Sequence, residues 1–146
     1  MSSLEDVLTE WKKDSVIDES RLNHELLKTP MIHAKYVEYL MFFKAKLAAA
    51  EKKYNISGWK KRKYFRGEMD KDDLDKNGWS QWQGLKPSSS ELNQLLEMDR
   101  DMNDLQENVA NYKAAVSAVE YILKQIQSRD YTLKTVFEYM KYVGGN

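Results

Sequence analysis

The chain has 146 residues, with Lys+Arg and Asp+Glu numbering 23 each, so its formal net charge is zero; 42% is hydrophobic and 32% charged. This length supports one ordinary core, and the apolar content is too high for wholesale disorder. The lack of cysteine excludes a disulfide scaffold, a thiolate metal centre and a cysteine nucleophile. Two prolines and abundant charge predict an all-α protein of long amphipathic helices forming a bundle.

Leu4, Val7, Leu8 and Trp11 recur at helical spacing and predict a short helix over residues 3 to 13. Glu5 and Asp6 stand where a secretory signal would be basic and then apolar, so export by that route is not expected. No apolar run is long enough for a membrane span, and no membrane partner is expected. Asp18 is a cap for a second helix carrying Leu22, Leu26 and Leu27, which should end before Pro30. Pro30 then suits the first turn of a long third helix, along which Tyr36, Leu40, Phe43, Leu47, Ala50 and Tyr54 form a regular apolar stripe. Asn55, Ser57 and Gly58 weaken helical propensity and mark a candidate kink, after which the helix can resume.

Neutral net charge hides a strong local imbalance. Between residues 44 and 66, Lys44, Lys46, Lys52, Lys53, Lys60, Lys61, Arg62, Lys63 and Arg66 face Glu51 alone. Residues 88 to 112 hold Glu91, Glu97, Asp99, Asp101, Asp104 and Glu107 against Arg100. Local fields, not totals, decide what approaches a surface. On a continuous helix at about 100° per residue, Lys46, Lys53 and Lys60 line up, with Lys52, Trp59, Lys63 and Arg66 beside them. Phe65 falls on the apolar face, and Lys61 falls near it, where it must snorkel or mark a change of geometry.

Cations along a groove neutralise phosphates, and an aromatic among them offers a base a π-face to stack on. Trp59 is the first candidate platform and Tyr64 the second, so the candidate single-strand-binding residues are Lys53, Trp59, Lys60, Lys61, Arg62, Lys63, Tyr64 and Arg66. The same pattern also fits a solvated helix face, or one that pairs with the acidic stretch 88 to 112. It fits equally a structural or adaptor oligomer whose basic segment binds an acidic protein partner.

Gly67 to Ser90, with three glycines, Pro87 and three consecutive serines, reads as a connector in which Trp79 and Trp82 must pack on something. Asp73, Asp75, Asn77 and Gly78 match half of a calcium loop, but the twelfth position is Gly84, so an acidic turn is expected there. His24 and His33 have no ligand cluster around them. From Ser90 a last long helix is predicted, with an unbroken heptad seam of Leu95, Met98, Met102, Leu105, Val109, Tyr112, Val116, Val119, Leu123 and Ile126. The seam either packs on the Tyr36 to Tyr54 stripe or joins subunits. A separate final helix should run from about Arg129 to Val143, carrying Phe137 and ending at Gly144 and Gly145. The candidate oligomerisation residues are Leu105, Val109, Tyr112, Val116, Val119, Leu123, Ile126 and Phe137. The chain thus divides into residues 1–67, a connector 68–89 and a C-terminal part 90–146. No phosphate-cradling glycine loop or other enzymatic constellation is present, so neither catalysis nor a cofactor is expected.

Taken together, these residues resemble the UvsY family of recombination mediators of T4-like phages. The likeness is carried by Leu4, Glu5 and Asp6, by Lys12, Lys13 and Asp14, by Ile17, Asp18, Met31 and Lys35, and by Ser90, Glu91, Ser128 and Arg129. It is most specific at Lys60, Arg62, Tyr64, Phe65 and Gly67, which are similar to the family's DNA-binding motif. Lys61, Lys63, Arg66 and Trp59 depart from it. The resemblance implies a ring-like homo-oligomer that binds single-stranded DNA in the cytoplasm of an infected bacterium. It also implies contacts with the phage single-strand-binding protein and a UvsX-like recombinase, helping the recombinase replace the binding protein without catalysis.

Overall fold

A computed structural model describes residues 3–144, and all regular structure among them is helical. Helix α1 spans Leu4–Asp14, a 3-10 turn Glu19–Arg21, α2 Leu22–Phe65, α3 Lys71–Asn77, α4 Ser89–Met98 and α5 Arg100–Val143. Ser3 begins α1 with a full capping box, its hydroxyl accepting from the Asp6 N–H while the Asp6 carboxylate accepts from the Ser3 N–H. Gly145, expected to help end the last helix, lies outside the described residues. Among the described residues, no helix is long and apolar enough to cross a membrane.

Three expected boundaries move. Asp18 caps the 3-10 turn, and α2 runs without interruption through Pro30 and through Asn55 to Gly58. Pro30 is exposed, whereas Glu25, Thr29 and Ile32 on either side are buried, so tertiary packing overrides the local cost of the proline. The predicted break near Arg129 is also absent, since α5 continues from Arg100 to Val143. A break occurs instead at Asp99, where the backbone turns extended (ψ 125°) and the Asp99 Oδ2 accepts from the Met102 N–H at 3.0 Å, capping α5. Within the expected connector, Asp70 caps α3 and Gly78 ends it at φ 69°, a left-handed conformation that glycine adopts without strain. Asp73 and Asp75 therefore lie on a helix, not on an ion-wrapping loop.

The chain forms two compact units, one made of the part up to Ala45 with the part from Lys113 onward, the other of Lys46–Tyr112. In the first, Val7, Tyr36, Phe43, Val119, Ile126 and Leu133 are at most 2% exposed. Its polar interior centres on Arg129, which donates to the Glu25 carboxylate at 2.7 Å and to the Asp14 carbonyl at 2.9 Å. Near it, Lys35 and Tyr36 both donate to Asp14, at 2.8 and 2.9 Å, and Tyr39 donates to Glu10. Burial alone would raise the Asp14 carboxyl, but these two hydrogen bonds and the Lys35 charge outweigh it and hold the group below the usual carboxylate range.

Most of the heptad seam is covered within the chain, but Met98 is exposed. Val109, Val116, Val119 and Ile126 are buried and Leu105, Tyr112 and Leu123 half-buried, whereas Phe137 remains 37% exposed. The other apolar side chains left open on α5 are Tyr121, within the span of the seam, and Tyr131, Val136, Tyr139, Met140, Tyr142 and Val143 further along it.

Candidate nucleic-acid interface

The basic segment occupies the last turns of α2, inside the second unit. Phe65 is buried with Leu92, Leu96 and Met102 in a small core, against which Tyr54, Tyr64, Trp82, Leu95 and Leu105 pack. This anchors one face of α2 and fixes which cations face outward. Lys53, Arg62 and Arg66 are exposed, and Lys60 and Lys63 half-buried. Trp59 is 60% exposed, with the Lys63 ammonium 4.7 Å from its ring centroid. One face of the indole is thereby held by a cation while the residue stays accessible, as a stacking platform requires.

Two of the eight candidate residues are engaged within the chain. Lys61 is 8% exposed, and its ammonium donates to Asp99 at 3.1 Å and Asp101 at 3.2 Å, beneath the Trp79 ring at 4.5 Å. Its position on the apolar face is thus resolved by pairing with the acidic stretch, where Asp99 and Asp101 balance its charge. Tyr64 donates its hydroxyl to the Ser80 carbonyl at 2.7 Å and meets Phe65, Trp79 and Trp82 ring to ring, at centroid distances of 5.3, 5.2 and 6.1 Å. It tethers the connector, which accounts for the two tryptophans there: Trp82 also stands edge-on to Phe65 at 5.0 Å.

Beside Trp59 lies a feature that sequence reasoning missed, a cavity of about 620 Å³. Tyr54, Asn55, Gly58, Trp59 and Arg62 line it from α2, Asn93, Leu96 and Glu97 from α4, and Met102, Asn103 and Gln106 from α5. It is lined from both sides of the break at Asp99, which the heptad pattern does not show. The one available signal was the row of side-chain amides one turn apart, Asn103 and Gln106, next to an acidic helix. Among the described residues, no group of His, Asp and Glu is placed to hold a metal ion.

Comparison with known proteins places the family and the fold. The family model described as recombination, repair and ssDNA binding protein UvsY matches residues 10–146. No curated protein matches the sequence. Crystal structures of the bacteriophage T4 recombination mediator protein UvsY share the fold. Its lattice type II form has a TM-score of 0.86 at 21% identity, covering 99% of this chain and 100% of that one. The lattice type IV form has a TM-score of 0.84 at 20% identity, covering 97% and 99%.

Proposed function

The chain belongs to the UvsY family of recombination, repair and single-stranded-DNA-binding proteins, and we propose that it meets the strand through the outward face at the end of α2, with Lys53, Trp59, Lys60, Arg62, Lys63 and Arg66 as contacts. The observation that carries this reading is the exposed indole of Trp59 set among the exposed Arg62 and Arg66 and the half-buried Lys60 and Lys63. Phosphates are neutralised by the guanidinium and ammonium groups, while a base stacks on the ring; neither contact reads sequence.

Assembly multiplies these weak sites. A ring-like homo-oligomer formed through the open stretch of α5 that includes Phe137 would hold one strand at several places at once. That avidity would let the protein bend or lift the strand from a phage single-strand-binding protein and present it to a UvsX-like recombinase, in the cytoplasm of the infected host. No bond is made or broken in this role.

The test is the salt dependence of single-strand affinity for Lys60→Ala with Arg62→Ala. Loss of two phosphate contacts lowers the log-log slope by about 1.4, from ~0.7 per contact. An unchanged slope removes both residues from the interface. Equal retention of single strands, duplex and an acidic polymer in a gel shift would show nonspecific charge in place of single-strand recognition.

A further inference from the structure

We infer that the cavity beside Trp59 is a pocket for one unpaired nucleobase, and that it favours a base carrying an exocyclic amino group. This rests on the single-strand reading above and adds to it a place where a base, not only the backbone, is held. At about 620 Å³ the cavity is of the size that takes a small planar ligand. Its floor is apolar, since Leu96 and Met102 are buried and Gly58 has no side chain to fill it. A Cβ at Gly58 would stand 3.4 Å from the Met102 Cε, so the thioether lies against the bare α2 backbone and gives this side of the cavity a soft apolar surface that suits a ring.

The walls are polar in a pattern fitted to base edges. Asn103 and Gln106 lie one turn apart on α5, and Asn93 and Glu97 one turn apart on α4, all exposed and lining the same space. Amides offer both donors and acceptors, whereas the Glu97 carboxylate can only accept. Its negative charge disfavours a phosphate inside the cavity, while Arg62 in the same lining can hold the phosphate that leads to the base. The carboxylate receives the amino group of cytosine and opposes the carbonyl oxygen that thymine carries in its place.

The experiment compares equal-length oligo-dC, oligo-dT and an abasic oligomer by fluorescence anisotropy, at mildly alkaline pH where oligo-dC is unstructured, for the full chain and for Glu97→Gln. The native chain should bind oligo-dC about fivefold more tightly than oligo-dT, as one base-edge contact gives. It should bind the abasic oligomer at least about fivefold more weakly than oligo-dT, for want of stacking. Glu97→Gln should bring the dC to dT ratio to about one, because a side-chain amide serves either base. Circular dichroism confirms that the variant is folded. Equal binding of all three oligomers with a steep salt slope overturns the pocket and leaves the backbone interface standing, as does a dC preference that survives Glu97→Gln. Binding of none of them in a salt-dependent way overturns the single-strand reading itself.

Discussion

The Glu25 carboxylate meets the Arg129 guanidinium at 2.7 Å, with side chains only 3% and 5% exposed. Burial opposes ionisation of Glu25, but the hydrogen bond from Lys28 and the charges of Lys28 and Arg129 prevail and hold its carboxyl below its ordinary value of 4.5. A depressed carboxyl stabilises the fold above its unfolded pKa, and that contribution is lost as pH falls through the folded value. Asp14, depressed from 3.8, acts in the same direction. Urea midpoints should therefore fall steeply once the pH drops below about 4.5. Arg129→Met, which leaves the buried Glu25 carboxylate with Lys28 as its one cation, should cost about 3 kcal/mol near neutrality. It should also flatten the acid limb, because protonating Glu25 then relieves a penalty. An unchanged acid limb would show that Glu25 is not held ionised by Arg129.

Lys61 and its neighbours in the basic run should separate cleanly on mutation. Lys61→Ala leaves Asp99, 13% exposed at its side chain, without its cation and should destabilise the protein by about 2 kcal/mol. Asp101, 66% exposed, loses little. The salt slope of single-strand binding by the folded variant should match that of the native chain, in contrast to Lys60→Ala with Arg62→Ala. A slope that falls for Lys61→Ala would place its charge on a phosphate.

Two substitutions on α5 distinguish folding from assembly. Val119 is fully buried, so Val119→Asp sets an unpaired carboxylate in the core and should unfold the chain, at a cost above about 4 kcal/mol. Phe137, 37% exposed, should accept Asp with the helical circular dichroism intact. Light scattering would then report a smaller particle for Phe137→Asp. An undiminished mass would take Phe137 out of the proposed subunit contact.

Gly58→Ala should stabilise the protein by about 0.5–1 kcal/mol, since it replaces an interior helical glycine. Its added Cβ meets only the Met102 Cε, the far end of an unbranched side chain, at 3.4 Å. A lower thermal midpoint would show that the α2 backbone approaches α5 more closely than this contact allows.

The helices were legible because apolar residues recur at spacings of three and four, and the inward turn of Phe65 and the exposed Trp59 followed from that phase. What failed was local punctuation overruled by packing, and packing that left no local mark. Pro30 reads as a terminator, yet buried neighbours on both sides carry the helix through it. The corner at Asp99 is invisible in the seam, because Met98 and Met102 keep perfect register across it although the first is 82% exposed and the second 3%. Helix α3 shows only Leu74 as an apolar signal, its evidence lying in the caps at Asp70 and Gly78. Lys61 was placed correctly on the inner face, but the carboxylates that receive it come from some forty residues away in sequence, which no periodicity reveals.

Asp99 divides its two oxygens between the Met102 amide and the Lys61 ammonium. Exchange at this position is hemmed in from both sides. Asparagine would keep the cap but leave the ammonium to the exposed Asp101 alone, and glutamate would keep the charge but overshoot the amide. Lineages diverging from this chain should therefore alter positions 61 and 99 as a covarying couple, while the outward cations around them drift freely between lysine and arginine.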